Sequence, residues 1–236
     1  MMPGSIRLFV VDALHAGANF ALSAAQAHYL GSVMRRSVGD ALRLFNGRDG
    51  EFSARIERIR RGKATVIVEG LLRPQAPETD LWLAFTPLKR DATDLLVQKA
   101  TELGVAALLP VMTERTNASR VNLERLAAIA TEAAEQSERL SVPRLHPPAP
   151  LHALLADWPA ERILFVALER SDSPAIRPAS GPAGILIGPE GGFSPLDRTL
   201  IQNGHQCTQV SLGPRILRAE TAAIVALALL QAPGYG

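Results

Sequence analysis

The stretch Gly184-Ile-Leu-Ile-Gly-Pro-Glu-Gly-Gly-Phe193 decides the fold that the sequence predicts. Its branched apolar residues are typical of a buried strand, and this strand stops abruptly at Gly188-Pro189. A second stretch, Val210-Ser-Leu-Gly-Pro-Arg-Ile-Leu-Arg-Ala-Glu-Thr221, repeats the pattern, with a strand that ends at Gly-Pro and a helix that follows. In an open α/β sheet, loops that leave neighbouring strand ends form the crevice where small ligands bind. We therefore expect the two loops to build one ligand site.

Each loop alone has a simpler interpretation, which is a tight Gly-Pro turn. The composition of both loops nevertheless suits binding. Pro189 and Pro214 fix their φ angles, while the glycines permit positive φ and let a ligand approach bare backbone. The two interpretations differ in whether the loops meet in space.

Composition indicates an ordinary globular protein without a metal centre. The 236 residues suffice for one large domain or two small ones. The longest apolar run near the C-terminus, residues 222–230, is far shorter than the ~20 residues of a membrane span. Cys207 is the only cysteine, so no intrachain disulfide forms, and no Cys/His group has metal-ligand spacing. These features favour a reducing cytoplasmic location with no membrane and no metal.

The formal net charge of +2 hides an asymmetry along the chain. Residues 1–76 carry 11 Lys and Arg against 6 Asp and Glu, a net of +5, and residues 77–236 carry 14 against 17, a net of −3. Because phosphate contacts supply most non-specific affinity for nucleic acid, the front third is the natural RNA-binding surface. A solvated charged face is the alternative interpretation.

The first third of the chain predicts a small β-domain. Strands are expected at residues 7–11, 41–45, 51–59 and 64–71, joined by glycine-bearing turns. Ser23 and Gln26 have the spacing of a capping box that opens a short helix through Val33. Short antiparallel strands of this kind suggest a small barrel. The prolines of residues 73–77 break the pattern, so we place one domain at 1–73 and another at 78–236.

The second part predicts an α/β domain with a mostly parallel sheet. Strands at 81–85, 105–112, 163–168, 184–187 and 207–212 alternate with helices at 91–103, 123–140, 194–203 and 219–231. Ser194, Pro195 and Asp197 supply the cap, the first helical position and the N3 acid of the third helix. Residues 222–230 are apolar around the whole helix and demand burial on all sides.

The two loops together resemble the signature motifs of the RsmE family, SPOUT-class methyltransferases that modify N3 of a uridine in 16S ribosomal RNA. The residues that carry the resemblance are 187–193 and 212–222, with matches at Lys89-Arg-Asp, Gln98-Lys-Ala-Thr-Glu-Leu-Gly104, Glu132-Ala-Ala-Glu-Gln-Ser137 and Val142-Pro143. The resemblance implies a PUA-like β-barrel followed by a SPOUT domain with a C-terminal trefoil knot. Unaided, the strand and helix pattern would predict an unknotted fold, because threaded chains are rare.

The resemblance also implies the site. It places S-adenosylmethionine in the C-terminal loops, against Thr86, Leu168, Ile187, Gly188, Pro189, Glu190, Gly191, Gly192, Leu212, Gly213, Ile216, Leu217 and Thr221. SPOUT relatives are dimers that share the site between subunits, so a homodimer is expected. The partners are small-subunit ribosomal RNA or the 30S subunit.

Uridine N3 carries a proton at neutral pH, so catalysis must remove this proton or stabilise the anion that remains. Arg218 and Arg90 are candidates to stabilise the anion or to bind phosphate, and Glu190 or Glu220 could act as the base. An acid in the first turn of a helix, such as Glu220, also interacts favourably with the helix dipole without any catalytic role.

For RNA binding the candidates are basic residues of the front domain, since Arg chelates phosphate and stacks on unpaired bases. They are Arg35, Arg36, Arg48, Arg58, Arg60, Arg61 and Lys63. Two other functions stay open, a ribose 2′-O methyltransferase and a non-catalytic RNA-binding module. A nucleotide-dependent oxidoreductase is disfavoured, because no Gly-x-Gly-x-x-Gly follows an early strand.

Overall fold

A computed structural model of the protein describes residues 6–117, 120–168 and 173–232. The chain forms two compact units. The first comprises residues 1–77 and 134–142, and the second comprises residues 78–133 and 143–236. The segment 134–142, which lies far along the sequence, therefore belongs with the N-terminal residues.

The first unit is a five-stranded mixed sheet with one short helical segment. Its strands run in the order β1-β3-β4-β5-β2, with β1 parallel to β3 and the other pairs antiparallel. The elements are β1 (Ile6–Phe9), β2 (Asn19–Ala21), α1 (Ala24–His28), a π-helical turn (Tyr29–Val33), β3 (Ala41–Phe45), β4 (Glu51–Arg60) and β5 (Lys63–Arg73).

Sequence alternation explains how this sheet buries its core. Along β4, Phe52, Ala54 and Ile56 point inward and are buried, while Arg55 and Glu57 between and beyond them are exposed. The predicted capping box is confirmed, because Ser23 Oγ accepts the Gln26 backbone N–H and Gln26 Oε1 accepts the Ser23 N–H. The expected helix does reach Val33, but its second half is π-helical.

A buried charge cluster attaches the segment 134–142 to the first unit. The Arg7 guanidinium donates to the Glu51 carboxylate, to the carbonyl of Ala134 at 2.8 Å and to the carbonyl of Arg139. Burial raises the pKa of the Glu51 carboxyl, but the hydrogen bonds from Arg7 and Arg73 outweigh it, so this pKa lies below its ordinary value. Glu51 is therefore a buried anion that needs both arginines.

The second unit is a parallel α/β sheet. Its strands run in the order β12-β10-β11-β6-β7-β8, with β9 also paired to β7, and every pairing is parallel. The elements are β6 (Leu81–Phe85), α2 (Arg90–Glu102), β7 (Ala107–Met112), α3 (Leu123–Gln136), β8 (Arg144–Leu145), β9 (Ala149–Pro150), α4 (Leu151–Ala156), β10 (Ile163–Ala167), β11 (Ala183–Ile187), α5 (Pro195–Asn203), β12 (Cys207–Val210) and α6 (Ala219–Gln231).

The predicted fold class is confirmed, with corrections to single elements. The helix expected at 123–140 ends at Gln136, because Glu138 has a positive φ of 59° that no helix accommodates. The strand expected to begin at residue 105 begins at Ala107. The sequence patterns also missed four short elements: β2, β8, β9 and α4. The trefoil knot concerns the chain path between strands and stays an expectation of the family.

The last helix, α6, is buried on one side only. Ala223, Ala226, Leu227 and Leu230 are buried, whereas the Leu229 side chain is 39% exposed. The expectation of burial on all sides included a dimer interface, so with Leu229 exposed in the single chain it stays a prediction. In the part of the chain that the structure describes, no helix has the length and apolar character needed to cross a membrane.

Candidate functional site

Three neighbouring strands bring their carboxyl ends to one edge of the sheet. The β10 strand lies between β12 and β11, with Ala167 in register with Val210 and Val166 in register with Leu186. The pairing extends past the strand ends, because the Leu168 N–H donates to the Val210 carbonyl at 3.1 Å. The loops that follow β10, β11 and β12 are therefore neighbours in space.

These loops surround a cavity of about 930 Å³. Both glycine-bearing loops line it, and Gly188 and Leu217 face the same hollow. Ten of the predicted cofactor residues form part of the wall: Leu168, Ile187, Gly188, Pro189, Glu190, Gly192, Leu212, Gly213, Ile216 and Leu217. The loops are thus more than separate tight turns.

Gly188 is needed because an aromatic ring lies against its backbone. A Cβ atom at this position would lie 2.8 Å from Cε2 of Phe193, whose side chain is buried. Gly192, four residues later, has a φ of 67° and donates its N–H to the Pro189 carbonyl at 2.8 Å. The first loop therefore folds back on itself and exposes backbone to the cavity.

A third chain segment closes the cavity beside the second loop. The Ser211 N–H donates to the Pro174 carbonyl at 2.9 Å, and the Ile176 N–H donates to the Ser211 carbonyl at 3.1 Å. Ser173 and Ala175 consequently line the cavity. In the second loop itself, Gly213 has a φ of 112° and donates its N–H to Ser211 Oγ at 3.2 Å.

The charged side chains of the cavity are mainly basic. Among the residues that the structure describes, Lys89, Arg198, Arg215 and Arg218 line it together with one carboxylate, Glu190. All five side chains belong to exposed residues, and Arg218 stands at the N-cap position of α6 without a side-chain cap hydrogen bond. These basic residues therefore suit a substrate that carries or develops negative charge.

Three predicted cofactor residues do not line the cavity. Thr86 is buried behind it, and its N–H donates to the Ile187 carbonyl at 3.0 Å, so it fixes the end of β11. The Gly191 carbonyl accepts a hydrogen bond from Arg115 Nη1 at 2.9 Å. Thr221 is an exposed residue in the first turn of α6.

Of the three predicted catalytic residues, the structure places only Arg218 in the cavity wall. Glu220 lies two residues further along, where its Oε2 atom is buried and has no hydrogen-bond partner among the described residues. Arg90 is exposed and lines a second cavity of about 490 Å³, to which Lys89 also contributes. Lys89 therefore borders both cavities.

Sequence reasoning missed several residues of the wall. Lys89 belonged to a matched motif but received no role, and Phe193 ended the first signature stretch. Arg198 and Arg215 could have been predicted as wall residues, because they are charged and lie in or close to the two glycine-bearing loops in the sequence. No signal pointed to Ser173 and Ala175, because their position depends on pairing with Ser211.

The basic candidates of the first unit cluster on the β4–β5 hairpin. Arg58, Arg60 and Lys63 are exposed, and the turn between the strands is made by Arg61 and Gly62, with φ values of 48° and 74°. Arg35 is also exposed, with a φ of 50°, while Arg36 is half-buried and lies 3.9 Å from Asp40. The remaining candidate, Arg48, donates a hydrogen bond from its guanidinium group to the Val11 carbonyl at 3.1 Å.

No metal-binding group of three or more His, Cys, Asp or Glu side chains occurs within residues 6–117, 120–168 and 173–232. Cys207 is half-buried, and this burial raises the pKa of its thiol. A largely protonated thiol is a poor nucleophile and a poor metal ligand.

Comparisons with known proteins match both units. A family model described as an RNA methyltransferase domain matches residues 74–231, and one described as an RNA methyltransferase PUA domain matches residues 22–69. The ribosomal RNA small subunit methyltransferase E of Rickettsia conorii is 35% identical over 211 residues, which cover 88% of this chain and 86% of the relative. The protein of the same name from Synechocystis is 34% identical, covering 96% and 77%.

Two solved structures are similar over nearly the whole chain. The ribosomal RNA small subunit methyltransferase E of Neisseria gonorrhoeae, bound to S-adenosyl methionine, has a TM-score of 0.87 and 27% identity, covering 95% of each chain. A methyltransferase of Legionella pneumophila in complex with the same cofactor has a TM-score of 0.85 and 31% identity, covering 96% of each chain.

Together the parallel sheet, the cavity at its carboxyl edge and the PUA-type unit are those of an RNA methyltransferase. The curated relatives match over most of the chain, and this coverage identifies the family within that class. The chain belongs to the ribosomal RNA small subunit methyltransferase E family, as the signature loops indicated.

Proposed function

We propose that this protein transfers a methyl group from S-adenosylmethionine to N3 of a specific uridine in 16S ribosomal RNA. The observation that carries the proposal is the cavity of about 930 Å³ into which the loops after β10, β11 and β12 converge. Membership of the family supports the substrate class, and the cofactor bound in two similar structures supports the methyl donor.

The residues of the cavity fit this cofactor. Its volume lies within the ~300–1,000 Å³ typical of small-molecule sites. Apolar side chains such as Leu168, Ile187 and Leu217 suit the adenine ring and the methionine chain. Bare backbone at Gly188, and the carbonyl of Gly192, are proposed to contact the ribose hydroxyls and the methionine ends. When bound, S-adenosylmethionine supplies an electrophilic methyl group.

The three predicted cofactor residues outside the wall are proposed to act as supports. Thr86 holds Ile187 through the backbone hydrogen bond, and Arg115 holds Gly191, so each fixes part of the first loop. Thr221 belongs to the first turn of the helix that the second loop enters. Positioning of this kind carries much of the catalysis, because methyl transfer requires the nucleophile in line with the methyl group.

The proposed chemistry at uridine N3 uses a carboxylate and an arginine. Glu190, a carboxylate of the cavity wall, and Glu220, whose Oε2 atom is buried without a partner among the described residues, are the candidates to take the N3 proton. Arg218 lies in the same wall and stabilises the negative charge that deprotonation leaves on the uracil ring. Arg90 lies in the second cavity, where it is proposed to bind phosphate.

We assign RNA binding to residues 1–73 and methyl transfer to residues 78–236. The exposed side chains Arg35, Arg58, Arg60, Arg61 and Lys63, together with the half-buried Arg36, form the proposed phosphate-binding surface of the first domain. A uridine in folded RNA must be splayed out before its N3 can react, as is common for RNA recognition. We further propose that the enzyme is cytoplasmic and acts as a homodimer on small-subunit RNA or on the 30S subunit.

The experiment combines cofactor titration with mapping of the modified nucleoside. Purified protein is titrated with S-adenosylmethionine by calorimetry and then incubated with unmethylated 16S ribosomal RNA, and the product is digested and identified by mass spectrometry. We expect cofactor binding and 3-methyluridine. An absence of heat at high cofactor concentration would favour an RNA-binding module, and a 2′-O-methylated nucleoside would favour the ribose methyltransferase.

The same assay tests Arg218. Arg218→Gln removes the proposed anion stabiliser, and loss of one such donor typically costs ~10²- to 10³-fold in kcat. Arg144→Gln is the matched control, because Arg144 is exposed on β8 and lines neither cavity. Equal activity of the two variants would remove Arg218 from the mechanism.

A further inference from the structure

None of the predicted cofactor residues lines the second cavity, and its wall is strongly basic. Its volume is about 490 Å³, and it lies between the N-terminal ends of α2 and α3. Four cationic residues and two amides line it: Lys89, Arg90, Arg120, Arg125, Asn117 and Asn122. No carboxylate is among the described lining residues.

Most of this positive charge is unneutralised. Arg125 Nη1 donates to Asp94 Oδ2 at 2.7 Å, so this one cation has an acidic partner. Lys89, Arg90 and Arg120 make no ion pair within the part of the chain that the structure describes, and all three are exposed. Three like charges around one concavity repel one another unless an anion lies between them.

Backbone groups add to the positive potential. Helix α2 has 13 residues, and its N-cap residue Lys89 makes no side-chain cap hydrogen bond, so N–H groups of the first turn remain available. The loop before α2 is fixed, because Thr93 Oγ1 accepts the Leu88 N–H at 2.9 Å. The acid of that first turn, Asp91, is not part of the cavity wall.

Lys89 connects this cavity to the first one. Lys89 lines both cavities, so the two cavities adjoin at this residue. We propose that the second cavity binds backbone phosphates of the RNA strand next to the target nucleotide, with Arg120 as a phosphate ligand. This inference rests on the proposed function and extends the phosphate binding proposed for Arg90 to a substrate-binding site that spans the second cavity.

The test measures the salt dependence of RNA binding. A fragment of unmethylated small-subunit ribosomal RNA is titrated with wild type, Arg120→Gln, Arg120→Lys and Arg144→Gln across a series of salt concentrations. Each phosphate contact to a single strand contributes ~0.7 to the slope of log affinity against log salt. We expect Arg120→Gln to bind several-fold more weakly with a slope reduced by about that amount, and Arg120→Lys to keep the wild-type slope.

Arg144→Gln controls for the loss of one positive charge outside both cavities and should match wild type in slope and affinity. All variants should bind S-adenosylmethionine equally by calorimetry. If Arg120→Gln kept the wild-type slope, or if Arg144→Gln lost as much RNA affinity as Arg120→Gln, the phosphate site would be overturned. The proposed function would still stand in that case, provided that the wild-type protein methylates the RNA. Absence of methyl transfer by wild type would overturn both.

A second arm distinguishes RNA phosphate from free phosphate. Inorganic phosphate is titrated against wild type and Arg120→Gln without RNA. Arg120-dependent binding of free phosphate, combined with an RNA affinity that does not depend on Arg120, would contradict the assignment to the RNA backbone.

Discussion

At the scale of single residues, Gly188 links the end of a strand to the shape of the cofactor cavity. The glycine is required by contact with Phe193 and not by an unusual φ angle, since only packing limits a larger residue at this position. The ring that excludes a Cβ atom is itself part of the cavity wall. The absence of a Cβ atom at Gly188 therefore lets the Phe193 ring pack against the end of β11 and form part of the cavity wall.

We therefore expect Gly188→Ala to weaken cofactor binding and to destabilise the fold. Overpacking of this kind costs ~1–3 kcal/mol, and every ~1.4 kcal/mol expressed in binding is a tenfold loss of affinity. Calorimetric titration with S-adenosylmethionine and thermal unfolding measure the two effects. Gly181→Ala is the control, because a Cβ atom there meets nothing within 4 Å. If both variants behave like wild type, the contact with Phe193 does not shape the site.

At the scale of elements, the β4–β5 hairpin presents its basic side chains at some conformational cost. Arg61 adopts a positive φ of 48°, a region that glycine and asparagine occupy more readily. Register shifts within the β4–β5 pairing, one of them between Ile56 and Arg58, leave Glu57 and Arg58 both exposed. A hairpin with this turn and these exposed arginines suits contact with a polyanion.

Replacement of Arg58, Arg60 and Arg61 by Ala is expected to weaken RNA binding and to reduce its salt dependence, while cofactor affinity stays unchanged. Loss of three single-strand phosphate contacts would lower the slope of log affinity against log salt by ~2. Binding assays over a salt series check this result. Arg55→Ala, on the same strand but paired with Glu69 at 2.6 Å, is the control for a lost surface charge. Equal loss of RNA and cofactor affinity would refute the division of labour between the domains.

The sequence predicted those elements whose cause is local. The capping boxes at Ser23 and Ser194 and the apolar runs of β6, β10 and β11 are such cases, because neighbours in the chain determine them. The two-residue strands β8 and β9 were missed, since only their pairing with β7 defines them. The end of α3 was missed for a similar reason, because the chain from Ala134 onward, including the last turn of the helix, belongs to the other compact unit.

The residues of the site likewise fall into those that local sequence predicts and those that depend on contacts between distant parts of the chain. Residues within the two glycine-bearing loops were predictable from the signature stretches, and most of them line the cavity. Ser173 and Ala175 were not, because they reach the cavity through a bridge to Ser211. Arg90 was expected to stabilise the uridine anion or to bind phosphate, and it lines only the second cavity, whereas its neighbour Lys89 lines both.

At the scale of the whole molecule, apolar side chains remain exposed on helices of the second unit. Leu229 on α6 is 39% exposed and Leu95 on α2 is 40% exposed, although each helix buries five other residues. A second copy of the chain would bury them, in keeping with the proposed homodimer.

Leu229→Glu is accordingly expected to convert the dimer into monomers, because it places a charge in the proposed interface. Light scattering coupled to size-exclusion chromatography measures the mass. Leu196→Glu, on α5 at a residue that is 61% exposed, serves as the control and should leave the mass unchanged. A wild-type mass of one chain would disprove the dimer, and a dimeric Leu229→Glu variant would place its interface elsewhere.

Because residues 134–142 belong with the N-terminal sheet, the first unit cannot be expressed intact as one continuous N-terminal fragment. An expression product cut after residue 77 would contain Arg7 and Glu51 but would lack the carbonyl groups of Ala134 and Arg139 that Arg7 contacts. In such a fragment the buried Arg7 guanidinium would lose these two hydrogen-bond acceptors, and a buried charged group without its acceptors destabilises a fold. A recombinant RNA-binding fragment needs the distant peptide grafted back through a designed linker, since truncation alone removes part of its interior.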